Sequence, residues 1–240
     1  MTTPITPSEL APTGALRAAI NLSNRVLAGR DPATGAPRGI SVDLARELAR
    51  RAGLPIELVT YDAAGKVVAA LASDAWDVCF LAIDPLRAED ITFTAAYAVI
   101  EGVYIVADGY PVCSNEEIDR PGMRVGVIVA SAYDLYLSRE LKHATLVRAP
   151  NATAVMENWV AGKLDCVAGV KPQLEADAKR VGGMRMLPGR FMAINQAMGT
   201  PRGREAAAKY VSDFINEMKA TGFVTRAFAS NNITGAAMAP

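Results

Sequence analysis

The chain has 240 residues, 51% of them apolar and 21% charged, a composition that builds a packed core and excludes a disordered chain. Its 25 basic and 25 acidic residues cancel, which excludes a global basic excess of the kind that holds nucleic acid or an anionic membrane surface, while leaving room for a local basic pocket. The three cysteines, Cys79, Cys113 and Cys166, are odd in number and far apart. With His143 as the single histidine they offer no metal-binding spacing, so no metal site is expected.

The first residues, Met1 to Thr13, lack the basic start and the apolar run of about 7–15 residues that mark an export signal. With Met1 as the native start the expected location is the cytoplasm; with a signal removed upstream it is the periplasm. No run reaches the roughly 18 apolar residues of a membrane span. Leu16 to Leu22 then reads as a strand. Ser41 to Ala52 reads as a helix with Val42, Ala45, Leu48 and Ala49 on one face, stopped by Gly53 and Pro55. Ile56 to Thr60 is a strand, Lys66 to Ala72 a short helix and Trp76 to Ile83 a buried strand. This alternation predicts a parallel sheet.

The same order recurs after Gly122. Met123 to Val129 is a strand, Ser131 to Leu141 a helix, Thr145 to Arg148 a strand, Asn151 to Ala161 a helix and Cys166 to Val170 a strand. The two copies show no shared sequence, so the repeat is read as architectural. Cys79 and Cys166 lie inside their strands and read as small buried hydrophobes. A last long helix spans about Gly203 to Ala220, and Asn231 to Pro240, small and polar, reads as a loose end. Between the copies Ala98 to Ala107 is apolar enough to cross from one to the other, and Phe191 to Met198 to cross back. Two crossings of this kind make a hinge, and hinged lobes close around ligands.

Several segments carry a resemblance. They are Leu16-Arg-Ala-Ala-Ile-Asn21, Pro37 to Ala49, Trp76-Asp-Val-Cys-Phe-Leu-Ala-Ile-Asp-Pro-Leu-Arg87, Ile91 to Tyr97, Met123 to Tyr133 and Gly162 to Gly169. In this order and spacing they resemble the bacterial extracellular solute-binding proteins that serve amino-acid ABC transporters. The resemblance runs from about Gly14 to Thr234. It implies the type II periplasmic binding protein fold, an α/β architecture of two lobes, each a mixed sheet flanked by helices. Lobe 1 is expected over 14–102 and 196–234, and lobe 2 over 103–195.

The resemblance also implies site residues. Arg87 is similar to the arginine by which the family grips a ligand carboxylate, a role that suits a planar, permanently charged guanidinium; the alternative is a surface pair with Glu89 or Asp90. Around it Phe80, Ala82 and Asp84 depart from the usual small and hydroxyl residues. Asp84 before Pro85 either orients Arg87 or caps the turn that follows, and capping is favoured. Ser131 falls at the position of a ligand-binding hydroxyl in lobe 2 and also opens a helix, with Tyr133 in its first turn and Asp134 three residues on. Asn21, Ser23, Asn24 and Arg25 follow the first strand in a loop that lines the cleft in this fold. Arg190, Asn195 and Gln196 lie near the return crossing. His143 at a helix end reads as structural.

Where amino-acid binders of the family place an aspartate for the ligand's ammonium, this chain has Val170, followed by Lys171. An unpaired ammonium loses its hydration without replacement, so an ordinary α-amino acid suits this site less well than a small organic anion. Glu101, inside the first crossing, is either a hinge ion pair, which is favoured, or a site acid.

The sequence thus leads to a protein that closes around a small organic anion, without a cofactor. The absent export signal argues against delivery to an ABC permease. The alternatives are a lyase resembling cyclohexadienyl dehydratase, with Glu101, Asp84 or Lys171 as its acid or base, and a metabolite sensor. No nucleophile–base pair and no phosphate-loop or cofactor pattern is present.

Overall fold

The computed structural model describes residues 5–240. Met1, on which the reading of the chain start turns, lies outside the described residues. The elements in chain order are α1 (Pro7–Leu10), β1 (Leu16–Asn21), β2 (Gly29–Arg30), β3 (Pro37–Arg38), α2 (Ile40–Ala52), β4 (Ile56–Tyr61), α3 (Ala64–Ala69), β5 (Val78–Ala82) and β6 (Ile91–Ala107). They continue with β7 (Arg124–Ile128), α4 (Ala132–Glu140), β8 (Thr145–Ala149), α5 (Ala152–Val160), β9 (Cys166–Val170), α6 (Lys171–Val181), β10 (Met184–Met186), β11 (Met192–Pro201), α7 (Glu205–Ala220), α8 (Phe223–Ser230) and β12 (Ala236–Met238). None of the helices among the described residues is long and apolar enough to cross a membrane.

The chain divides into two compact units. The first runs to Val99 and resumes at Asn195; the second runs from Ile100 to Ile194. In the first unit β1 lies between β4 and β5, parallel to both, and β11 pairs antiparallel with β5, setting Gln196 opposite Ala82. All five residues of β5 are buried, as expected for a strand covered on both faces. Helix α2 packs through Val42, Leu44, Ala45, Leu48 and Ala49 and ends at Gly53 in the left-handed conformation, a common helix stop. Trp76 is 1% exposed and its indole N–H donates to Val67 O at 2.9 Å, tying α3 to the sheet.

The second unit repeats the plan. Strand β7 lies between β8 and β9, parallel to both, and β9 pairs antiparallel with β6, setting Val170 opposite Gly102. Its core gathers Val103, Ile105, Val155, Leu164, Val167 and Leu174.

One device occurs in both units. In the first, Asp77 accepts the Arg17 backbone N–H at 2.9 Å and the Arg17 guanidinium at 3.1 and 2.9 Å, while the Asp77 N–H returns to Arg17 O. In the second, Asp165 accepts the Arg124 N–H at 2.9 Å and its guanidinium at 2.8 and 2.9 Å, and its N–H returns to Arg124 O. The first pair ties β1 to the approach of β5, and the second ties β7 to the approach of β9. The copies therefore share sequence at these two positions, contrary to the expectation of a purely architectural repeat.

Several details refine or correct the sequence reading. Pro172 sits in the first turn of α6, where proline is tolerated because it lacks the N–H that a first helical turn leaves unbonded anyway. The first crossing is part of one unbroken strand, β6. The helix expected from Gly203 begins at Glu205 and is followed by a second one, α8. The C-terminal segment is not loose, since β12 pairs with β6.

Candidate functional site

Parallel strands end on the same edge of their sheet, and ligands of open α/β sheets sit outside the carboxyl ends of the strands. In the first unit that edge carries Asn21 at the end of β1 and the turn Ile83 to Arg87 after β5. Across from the end of β5 stands Gln196, which is 6% exposed. In the second unit it carries the turn Val129 to Ser131 after β7, Lys171 after β9 and Glu101 on the antiparallel neighbour β6. Each unit therefore gathers its own share of the expected residues at one edge.

In the first unit Arg87 is 3% exposed. One guanidinium N–H donates to Ala82 O at 2.9 Å. Burial pushes its pKa below the ordinary arginine value, with the Asp84 carboxylate acting the other way. Asp84, also 3% exposed, accepts the Leu86 N–H at 2.9 Å through Oδ1. It thus caps the turn that presents Arg87. Phe80 and Ala82 are both 4% exposed. Phe80 meets Tyr97 edge-on, with centroids 6.3 Å apart, and the Tyr97 hydroxyl hydrogen-bonds Ser41 at 3.1 Å. Asn21 closes on its own loop, its Oδ1 accepting the Ser23 N–H at 3.1 Å and the Ser23 hydroxyl at 2.7 Å. Asn24 O accepts from the amides of Leu27 and Ala28. Arg25 and Asn195 are exposed.

In the second unit Ser131 is the N-cap of α4, its Oγ accepting the Asp134 N–H at 3.1 Å. Asp134 is 3% exposed, and its carboxylate accepts the Ala130 N–H at 2.8 Å and Arg148 Nε at 2.9 Å. The head of α4 is therefore held from within by a carboxylate of its own, which the sequence reading noted only as standing three residues after Ser131. Tyr133 is 7% exposed, and burial raises its phenol pKa, against hydrogen bonding with Ser131. His143 is exposed, and its backbone N–H donates to Asp119 at 2.7 Å. Lys171 Nζ donates to Glu101 Oε2 at 2.8 Å, and Arg190 Nη1 stands 3.7 Å from Glu101 Oε1. The ion pair favoured for Glu101 is thus present, with Lys171 as its partner. An aromatic set escaped the sequence reading: Phe191 packs on Tyr104 with centroids 4.3 Å apart and on Tyr136 at 6.1 Å. Nothing in the sequence spacing brings these three together; the backbone bond from Phe191 N–H to Gly102 O does.

Ala130 adopts φ +56°, a left-handed conformation that strains a residue with a Cβ by roughly 1–2 kcal/mol. Glycine relieves that strain at an entropic cost of about 0.5–1 kcal/mol. Ala130→Gly is therefore expected to raise stability by about 0.5–1 kcal/mol in urea unfolding; a loss would show that Asp134 holds the turn without strain.

Two parallel-stranded α/β units, each with a capped turn and charged side chains at its strand ends, define a binding-protein class. The chain belongs to the bacterial extracellular solute-binding proteins, family 3, whose family model matches residues 23–230. Among solved structures it is similar to a mutant of ArgBP from T. maritima, with 18% identity, TM-score 0.79, and coverage of 95% of this chain and 99% of that one. It is similar to an ancestral amino acid-binding protein described as a precursor of cyclohexadienyl dehydratase, with 19% identity, TM-score 0.76 and coverage of 93% and 97%. It is also similar to the substrate binding protein of an amino acid ABC transporter, with 15% identity, TM-score 0.76 and coverage of 91% and 99%. At these identities the likeness shows the fold. No curated protein sequence matches the chain.

Proposed function

We propose that the chain is a binder of a small organic anion, with Arg87 as the partner of the ligand's carboxylate. The observation that carries this reading is the placement of Arg87: a guanidinium fixed by Ala82 O on a capped turn at the strand ends, in a chain of the solute-binding family. Arginine keeps its charge when buried and offers paired donors to a carboxylate. At the position where the family's amino-acid binders carry an aspartate for the ligand's ammonium this chain has Val170, followed by Lys171, and the neighbouring Glu101 carboxylate is already engaged by Lys171, which supports an anion over an amino acid.

The lyase alternative finds less support. A general acid needs a proton near neutral pH. The hydrogen bond from Lys171 holds Glu101 below the usual carboxylate range, and the same bond holds Lys171 above the usual lysine value. Asp84 is engaged as a cap.

The test is a thermal-shift screen over carboxylic acids and amino acids, followed by calorimetry on the hits. A ligand at a hundredfold excess over its Kd raises stability by about 2.7 kcal/mol. Arg87→Ala is expected to weaken binding by about ten- to a hundredfold, the worth of a hydrogen bond to a charged group. Arg87→Lys keeps the charge while losing the planar fork, and separates loss of binding from loss of folding. Unchanged affinity in both variants sinks the assignment, and tighter binding of ordinary α-amino acids than of simple acids sinks the anion preference.

A further inference from the structure

The first unit holds a groove between α2 and α8 that shares no residue with the strand-end site. Positions 43, 46, 47 and 50 of α2 line one wall, and positions 223, 226, 227 and 230 of α8 line the other. Each set follows the i, i+3, i+4, i+7 spacing that puts four side chains on one helix face. The groove has a volume of about 360 Å³, toward the lower end of the range for small-molecule sites. One end is tied where Asn231 Nδ2 donates to Asp43 Oδ2 at 2.7 Å. Phe223, half-buried, and Ala227, 4% exposed, give it apolar surface. Glu47 is already engaged by Arg50 at 2.8 Å and by Arg51 at 2.7 Å, and Arg51 also reaches Glu217 at 2.6 Å. Arg46 and Arg226 are not matched in this way. Among the described residues Arg46 has no hydrogen bond or ion pair, and Arg226 has only the bond from Nη1 to Thr221 O at 3.0 Å.

We infer that the groove between α2 and α8 is a second ligand site, which takes a small organic phosphate monoester between Arg46 and Arg226. It stands independently of the anion reading at the strand ends. Arg46, Arg50 and Arg226 outnumber Asp43 and Glu47 in the lining, so the groove carries one net positive charge. Its two arginines without a carboxylate partner come from different helices, one on each wall. A phosphate monoester brings a charge of about −1.5 to −2 at neutral pH and three acceptor oxygens. Those oxygens point in different directions and meet planar donors on both walls at once. A carboxylate is flat and carries one charge, so it satisfies one guanidinium and leaves the other. The organic body of the ester lies against Phe223 and Ala227, which free phosphate cannot exploit.

The test is calorimetry at low salt with phenyl phosphate, inorganic phosphate and phenylacetate. It uses the wild-type chain, Arg46→Gln, Arg226→Gln, the double variant of these two, and Arg87→Ala. The wild type is expected to bind phenyl phosphate more tightly than inorganic phosphate. Each single glutamine variant is expected to weaken phenyl phosphate by about tenfold, the worth of a hydrogen bond to a charged group, and the double variant to abolish it. Both arginines are exposed, so the urea midpoints of these variants are expected to match the wild type, which separates loss of binding from loss of folding. Arg87→Ala is expected to keep the phenyl phosphate site intact, and in that variant phenylacetate is expected to bind about tenfold more weakly than phenyl phosphate. No binding of phenyl phosphate by the wild type, or unchanged binding by the double variant, overturns the site. Loss of phenyl phosphate binding in Arg87→Ala overturns it too, since the phosphate would then sit at the strand ends. Equal binding of phenylacetate and phenyl phosphate in Arg87→Ala overturns the choice of a phosphate.

Discussion

Asp77→Ala is expected to cost about 3–5 kcal/mol in urea unfolding, the usual penalty for removing one partner of a buried ion pair. The Asp77 side chain is 0% exposed, and it joins Arg17, 13% exposed, to Arg204, 19% exposed. It accepts the Arg17 backbone N–H, two Arg17 guanidinium bonds and one from Arg204 at 3.0 Å. Its loss leaves two shielded cations and one amide to find other partners. The second unit supplies the control. Asp165 makes the same three bonds to Arg124, but the side chains are 19% and 43% exposed, so Asp165→Ala is expected to cost only about 1 kcal/mol. Equal costs would show that burial is not what makes the first pair strong.

The pH dependence follows from the same carboxylate. Burial pushes the Asp77 pKa up, but the bonds from Arg17 and Arg204 outweigh it and the net shift is downward. A group whose folded pKa is depressed contributes its stability above the unfolded value, near 4, and loses it as pH falls through the folded pKa. The stability gap between wild type and Asp77→Ala should therefore be full at neutral pH and shrink in acid below about pH 4. A gap that widens in acid contradicts this account.

Gly39→Ala is expected to cost about 3 kcal/mol, from backbone strain and overpacking of about 1–3 kcal/mol each. Gly39 has φ +115°, and a Cβ there would collide with Leu27 O and lie 2.9 Å from Ala28 Cα. Both obstacles are backbone, so neither can swing aside. Gly39 O also accepts the amides of Val42 and Asp43 at the head of α2, while Leu27 O accepts from Ser41. The substitution therefore pushes the loop that follows Asn21 away from α2, and ligand affinity is expected to fall with stability. Gly35→Ala makes the comparison, since φ is +71° and no atom lies within 4 Å of its Cβ; only the conformational cost of about 1–2 kcal/mol remains. Similar losses in the two variants would mean that the close approach to Leu27 does not matter.

The alternation of strands and helices was legible because the apolar runs are long and their stops are glycine and proline, as at Gly53 and Pro55. The ion pairs Arg17–Asp77 and Arg124–Asp165 were not, although each sits as a charged pair beside apolar strands in both copies. Their meaning depends on strands being adjacent, which periodicity does not report. Helix α6 was hidden by Pro172, a residue that ends a helix in its interior and starts one at its head. Strand β12 was hidden by its composition, because a short edge strand bonds through its main chain and needs no β-branched side chains. At the candidate site, the position of Arg87 and the cap by Asp84 were readable from local order. The convergence of Lys171 and Arg190 on Glu101 was readable only as a choice between an ion pair and an acid. Three separate segments had to be brought to one edge before their charges could be matched.

The order in which the chain leaves the ribosome gives β6 and β11 another meaning. The second unit is continuous, from Ile100 to Ile194, and its sheet can assemble as soon as its last strand has emerged. The first unit cannot, because β11, α7 and α8 belong to it and are made last. Until residues 196–199 arrive to pair with Cys79 to Ala82, the apolar strand β5 has one edge open, and open edges of this kind recruit other chains. The early half of the protein therefore waits, with its most vulnerable strand uncovered, for a partner synthesised after an entire intervening unit.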